Sequence, residues 1–327
     1  MNKYLKLLLI FALLLLCSLL FAWQQLAEKH QQTGGSVVIP QGASSHRVAS
    51  LLEQRNIIDS AWLFRLAARL SGTATQIKAG EYAFSGDMSV RDVLNKLVAG
   101  DVKMHRLTIP EGLRSQEVLQ LLADHSQIPL VRWQAALQLL LEGKEEEGRL
   151  LPETYTYNMP IHPTAILMSM IRAQTKILAA IKPESDEKIR IMASIIEKET
   201  SLDQERVLVS AAIHNRLRLG MPLQMDPTVI YGIWKRDGVF SGNIRRKDLK
   251  ENTPWNTYTN KGLPPTAICN PGSASLYAAA NPADVDYLYF VADGSGGHAF
   301  AATLAEHQSN VRKWVRFERK KRKSPNE

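Results

Sequence analysis

The sequence predicts an α+β protein with a single N-terminal transmembrane helix, a small strand–helix module and then a larger α+β domain. Three observations predict it. Tyr4 to Trp23 is apolar apart from Lys6. The pattern Ile-Pro-x-Gly followed by Ser, Val and Leu-Leu occurs at Ile39–Leu52 and again at Ile109–Leu122, with one constant offset. From Ile189 the apolar residues recur at helical spacing and lead to a carboxylate, Glu199.

The apolar run of 4–23 is about twenty residues, which at about 1.5 Å per residue spans a bilayer core of about 30 Å. Lys3 and Lys6 at its start place residues 1–3 in the cytoplasm and the bulk of the chain outside it. A cleaved signal peptide is the competing reading, but Leu20 stands where a small residue is wanted before a cut after Ala22. Leu16 likewise argues against a lipoprotein at Cys17, and Trp23 suits an interfacial anchor.

Residues 24–35 are polar and end in Thr-Gly-Gly, a linker signal. The repeated pattern follows. Each copy reads as a short strand, a turn at Gly42 or Gly112, and an amphipathic helix capped by Ser. Between the copies, Ala79–Phe84 reads as a strand and Ser89–Leu97 as a capped helix, completing a module of residues 36–105.

The larger domain, residues 106–310, continues with a helix over Trp133–Glu147. Leu137, Leu140 and Leu141 point inward there, and the Glu-Gly-Lys-Glu-Glu-Glu run forms a solvated face. Thr164–Ile181 is another amphipathic helix. Tyr231 to Pro265 is loop-rich and sets Trp234, Trp255 and Tyr258 among amides and hydroxyls, the mixture a saccharide site needs. Ser273–Ala280 reads as a helix, Tyr287–Ala292 as a buried strand, and Asp293–Gly297 as a hairpin turn into His298–Phe300.

Cys17 lies in the apolar run and Cys269 stands alone beyond it, so no intramolecular disulfide can form. The histidines fall at no metal-ligand spacing, and no cofactor motif is present. The tail, residues 311–327, holds eight basic residues against Glu318 and Glu327 and so carries +6 of the formal charge of +8. The rest of the chain is near neutral, so the protein is not basic all over and nothing in its charge suggests nucleic acid. The tail suits a solvated helix end, or contact with anionic lipid headgroups beside a membrane anchor.

Within Ile189–Tyr231, Met192, Ile195 and Ile196 form one helical stripe, and Glu199 continues it. Glu197 projects in line with Arg190 and Ala193. A Glu-Lys-Glu run also suits a solvated helix end, but only Glu199 points with the core. Desolvation there would raise its pKa, as a general acid near neutral pH requires. Ser201 and Gln204 have capping-box spacing for a second helix from Leu202, which Gly220 and Pro222 end. Leu223–Tyr231 shows no helical period and reads as a loop facing the acid.

These segments carry a family resemblance. Glu-Lys-Glu-Thr at 197–200, Asn-Arg-Leu at 215–217 and Leu-Gln-Met-Asp-Pro-Thr-Val-Ile-Tyr-Gly at 223–232 resemble the YceG-like endolytic murein transglycosylases. So do Asn256-Thr-Tyr258, Gly262-Leu-Pro-Pro265, Tyr287–Val291 and Gly297–Phe300, in the family's order. The resemblance implies that Glu199 is the catalytic acid, with Gln224, Asp226, Asn256 and Tyr258 as substrate-binding residues. Leu150–Tyr155 resembles the family's entry into the catalytic domain, where Tyr155 suits a glycan-facing ring and a structural aromatic equally.

The implied reaction is non-hydrolytic cleavage of the MurNAc–GlcNAc β-1,4 bond to give 1,6-anhydro-MurNAc ends, without a cofactor. The implied setting is the inner membrane, with the catalytic domain in the periplasm. Partners would be peptidoglycan glycan strands and the synthases that polymerise them, and the 36–105 module would be LysM-like. Two alternatives stay open on the residues alone: a muramidase using Asp226 as a second carboxylate, and a non-catalytic glycan-binding scaffold.

Overall fold

The structure, a computed structural model, describes residues 10–13, 24 and 27–323. The apolar run of 4–23 therefore lies outside the described residues except for 10–13, which are helical. The chain divides into two compact units, Met1–Leu107 with Thr156–Ile161, and Thr108–Tyr155 with His162–Glu327.

The first unit runs β1 (Lys29–Ile39), α1 (Ser45–Gln54), α2 (Ala61–Leu70), β2 (Gly80–Ser89), α3 (Val90–Ala99). β1 and β2 are antiparallel, with Val37 opposite Tyr82 and Ile39 opposite Gly80. Residues 29–35 thus extend β1 rather than forming a linker, because a ladder is built from backbone groups and tolerates polar side chains. Val48, Leu52, Phe64, Tyr82, Phe84, Val93 and Leu97 form the core. The Tyr82 hydroxyl donates to the carbonyls of Lys78 (2.8 Å) and Leu97 (3.2 Å), so its polar end is satisfied inside. Ser60 caps α2, a helix not expected from the sequence although Arg65 and Arg69, four residues apart, share one face turned away from that of buried Phe64 and Ala68. Ser89 caps α3 through a reciprocal box with Asp92.

The chain leaves this unit within β3 (His105–Thr108), returns within β4 (Thr154–Tyr157) and leaves again after residue 161. In the second unit come α4 (Ser115–Ser126), α5 (Leu130–Leu141), α6 (Pro163–Ile181), α7 (Asp186–Glu199), α8 (Asp203–Arg218), α9 (Asp226–Asp237) and α10 (Ser273–Ala280). A hairpin of β5 (Tyr289–Ala292) and β6 (His298–Ala301) follows, then α11 (Leu304–Lys323). Residues 311–323 of the basic tail continue α11, residues 324–327 lie outside the described residues, and β5 is half-buried rather than buried.

The sequence echo is real at the level of strand, turn and helix, with Gly42 and Gly112 at φ 73° and 74° making the two turns. The caps differ. Ser44 caps α1, whereas at the start of α4 the Glu117 carboxylate accepts from both the backbone N (2.9 Å) and the guanidinium of Arg114, and Ser115 turns inward. The run after α5 is not wholly solvated either: Glu147 is buried and accepts from Ser115 N (2.7 Å), Ser115 Oγ (3.1 Å) and the Tyr231 hydroxyl (3.2 Å).

Helix α6 is the described helix long and apolar enough to cross a membrane. Its Ile166, Leu167, Met170, Gln174 and Leu178 are buried at helical spacing, the pattern of a core helix.

Helix α7 is the axis of this unit. Every residue from Ile189 to Ile196 is buried, so the single stripe expected from the sequence becomes burial on all sides. Burying each Ile is worth about 1.5–3 kcal/mol, and the polar members are satisfied. The Ser194 hydroxyl donates to Ile191 O (2.8 Å) and accepts from Ile268 N (3.0 Å), and Arg190 Nε donates to Gln174 (2.8 Å). Cys269 packs against the same helix, fully buried.

Candidate active site

Glu199 is the last residue of α7, and Thr200 caps the helix in extended conformation. The Glu199 side chain is half-buried in the wall of a cavity of about 230 Å³. The other walls come from four separate pieces of chain: Arg216 of α8, Leu223–Asp226 leading into α9, Tyr258, and the β5–β6 hairpin with Phe290 and His298.

The 223–225 segment is held in place by its backbone. Gln224 N donates to Thr257 O (3.1 Å), Met225 N donates to Thr257 Oγ1 (3.0 Å), and Gln224 takes a left-handed φ of 51°. Asp226 then opens a helix rather than continuing a loop. Pro227 sits in the first turn, where its missing N–H leaves no hydrogen bond unmade, so it does not break α9. Asp226 Oδ1 accepts from the Tyr258 hydroxyl at 2.6 Å. The start of α8 also differs from expectation. Ser201 does not cap it; Thr200 Oγ1 accepts from Leu202 N (3.1 Å) and donates to Glu205 (2.9 Å).

The electrostatics single out Glu199. Burial, then the nearby Asp226 carboxylate, push its pKa up to about 8, with Arg216 pulling weakly the other way. No hydrogen bond within the described chain reaches its carboxyl group. The Tyr258 phenol is pushed up by burial and by its bond to Asp226, so it stays a donor. Burial lowers Arg216, whose guanidinium donates to the carbonyls of Leu223 (2.6 Å), Leu288 (2.7 Å) and Pro222 (3.2 Å). Its charge is thereby spread over carbonyls that shape the cavity wall.

Glu197, two residues earlier, is placed differently. It is half-buried, and its Oε2 accepts from Gly272 N (3.0 Å) at the N-terminus of α10, where the helix dipole favours a carboxylate. It does not line the cavity.

The structure brings together Glu199, Gln224, Asp226 and Tyr258. It does not bring Asn256 or Tyr155 to the cavity. Asn256 is buried with its Nδ2 on the carbonyls of Asp248, Leu249 and Glu251, and its Oδ1 accepts from Tyr258 N (2.9 Å). It therefore shapes the loop that carries Tyr258. The Tyr155 hydroxyl donates to Leu151 O (2.7 Å). Of the two tryptophans, Trp255 donates to Thr266 (2.9 Å) and packs on the core. Trp234 lines a separate cavity of about 500 Å³, with the Arg114 guanidinium 3.7 Å from its ring centroid.

Two polar cavity residues, Arg216 and His298, were missing from the site expected from sequence. Arg216 follows Val209, Ala212 and Ile213 by seven, four and three residues, so the periodicity that picks out Glu199 also puts this charge on a buried stripe. His298 lies in the Gly-His-Ala-Phe segment, but spacing tests for metal ligands cannot detect a histidine whose partner is a distant glutamate.

Fold and site together define an α+β protein with one proton-holding carboxyl group in an open polar cavity, a design suited to acid–base chemistry on a bound polymer or small molecule. The chain belongs to the YceG-like family, whose profile matches residues 37–313. It is 31% identical over 317 residues to an endolytic murein transglycosylase of Bacillus subtilis (strain 168), covering 88% of this chain and 87% of that protein. An endolytic murein transglycosylase of Streptococcus pneumoniae serotype 2 (strain D39 / NCTC 7466) is 28% identical, and the match spans 86% of this chain but 58% of that longer protein. Among solved structures, a YceG-like protein from Listeria monocytogenes superposes with a TM-score of 0.53 and 29% identity, over 85% of this chain and 99% of that one.

Proposed function

We propose that this protein is a peptidoglycan lytic transglycosylase, a lyase that cuts glycan strands internally at the MurNAc–GlcNAc bond. The observation that carries the mechanism is the unpaired Glu199 carboxyl group, pushed up to about 8 and so protonated at neutral pH. In the first half of the reaction Glu199 gives its proton to the glycosidic oxygen as the C1–O bond breaks. The buried carboxylate left behind is a strong base, and it takes the proton of the muramic C6 hydroxyl as O6 bonds to C1. Glu199 ends protonated, ready for the next cycle. No water is consumed, so no second carboxylate has to activate one.

Asp226, held by Tyr258, keeps Glu199 protonated by its charge and lines the space beside it. Gln224 and Tyr258 offer further polar contacts to the sugars. The family relationship supports glycan strands as substrate, and termination of nascent strands is the role an endolytic cut would serve. We further assign the apolar run of 4–23 as an inner-membrane anchor with the enzyme on the periplasmic side, next to glycan-polymerising synthases. The β–α–α–β order of the first unit suits a LysM-like glycan-binding module.

Mass spectrometry of purified glycan strands after incubation with the protein tests the reaction. Products ending in 1,6-anhydro-MurNAc are expected. Reducing ends in their place would make the enzyme a hydrolase, with Asp226 as the nucleophile at roughly 5–5.5 Å from the acid or as the base that activates water at roughly 6.5–9.5 Å.

A further inference from the structure

Beside Glu199 the cavity holds a second prepared group. Glu205, in the first turn of α8, is 7% exposed and accepts from His298 N (2.7 Å) and from Thr200 Oγ1 (2.9 Å). Its Oε2 also lies 2.7 Å from Nδ1 of the His298 ring. Burial raises the Glu205 pKa, but the hydrogen bonds from His298 and Thr200 outweigh it and hold the group below its ordinary value. An ionised carboxylate only accepts, so Nδ1 carries a proton, and whenever the imidazole is neutral that is its one N–H.

The other ring nitrogen, Nε2, is then a lone-pair acceptor. It makes no hydrogen bond within the described chain, and the ring lines the same cavity as Glu199, edge-on to Phe290 at 5.5 Å. The mounting is rigid. A Cβ at Gly297 would come to 2.6 Å from Glu205 Oε1, so the glycine is what lets the hairpin approach the glutamate this closely. Thr200, which completes the arrangement, directly follows Glu199. A buried carboxylate that fixes the tautomer of a cavity-lining imidazole, and leaves its second nitrogen empty, is the construction of a ligand contact rather than of a core histidine.

We propose that His298 is a substrate-contacting residue whose Nε2 accepts a hydrogen bond from a sugar hydroxyl of the bound glycan, with Glu205 as its positioning residue. This rests on the glycan-cleaving reading above. It adds a fixed acceptor that orients the sugar next to the acid.

The test uses His298→Asn, whose side-chain amide can replace the Nδ1 donor to Glu205 but ends short of the cavity. Cleavage kinetics are measured in the otherwise native protein. Binding of uncut glycan fragments is measured in a Glu199→Gln background, and thermal melting in both. Expected are an unchanged melting temperature, a kcat/KM lower by about 10–100-fold, and fragment binding weakened by about 10-fold or more. Glu205→Gln, whose amide can donate to Nδ1 and so release the tautomer, should lose kcat/KM by about 10-fold with the same products. His298→Asn that binds and cuts like the native protein overturns the proposal. So does a variant that loses stability alone, with kcat/KM per folded molecule intact. Failure of the glycan-cleaving reading would show separately, as absence of anhydro ends with the native protein.

Discussion

Glu147 and Glu199 are both glutamates taken out of water in the second unit, and burial raises the pKa of both. Their surroundings differ in one respect. Glu147 is enclosed, and its two oxygens accept three hydrogen bonds from Ser115 and Tyr231, tying the loop after α5 to α4 and α9. Glu199 has no such partner and faces an open cavity. Burial alone therefore does not make an acid catalyst. A desolvated carboxyl group whose hydrogen-bonding capacity is filled is a structural tie, and one left unfilled at a cavity is free to exchange its proton with a ligand.

The largest effect separates the two directly. Glu199→Gln should lower the rate of anhydro-end formation by about 10⁴-fold or more while the protein melts no earlier, since the neutral amide keeps the shape of the protonated carboxyl group it replaces. Glu147→Gln should do the reverse. A donor replaces one acceptor oxygen, so melting should fall by about 4–8 °C with kcat/KM per folded molecule within about threefold of native. An active Glu199→Gln would break the comparison outright.

A smaller effect comes from Asp226→Asn. The charge of Asp226 raises the Glu199 pKa, so removing it lowers that pKa. The native rate should fall as pH rises through about 8, because the proton to be delivered is lost there. In Asp226→Asn that descending limb should move to lower pH, with a rate at pH 8 reduced by about 3–10-fold, read from pH–rate profiles. An unmoved limb would remove Asp226 from the electrostatics of the acid.

Stability offers a third reading of the same group. A folded-state pKa raised from 4.5 to about 8 means that between those values the folded chain binds the proton more tightly than the unfolded one. This contribution is fully present below pH 4.5 and is lost as pH rises towards 8. Glu199→Gln lacks that loss. Its melting temperature should match native at low pH and exceed it by about 3–6 °C at pH 8.5, by calorimetry at both. Parallel curves would mean that Glu199 is ionised in the resting protein.

The smallest effect is expected of Glu197→Gln. The amide oxygen can still accept from Gly272 N, so the rate should stay within about threefold and melting within about 2 °C. A dead but folded Glu197→Gln beside an active Glu199→Gln would exchange the roles of the two.

What the sequence determined by itself is what neighbouring residues encode. The mixed α+β class, α10 at Ser273–Ala280, α6 to within one residue, the Ser89 cap of α3 and the choice of Glu199 follow from periodicity and capping, interactions that reach no further than one or two helical turns. Gln224, Asp226 and Tyr258 were legible through family motifs, and they do meet in the cavity. The rest was decided by contacts between distant segments. Glu147 looks like one charge in a solvated run until Ser115 and Tyr231 close over it. Asn256 and Tyr155 look like site residues until the structure turns the Asn256 amide onto nearby backbone carbonyls and the Tyr258 N–H, and the Tyr155 hydroxyl onto Leu151 O. His298 becomes part of the site only because the hairpin delivers it to Glu205, 93 residues away. A hydrogen bond across such a separation leaves no periodic trace in the chain, because the partner is supplied by packing and not by position in sequence.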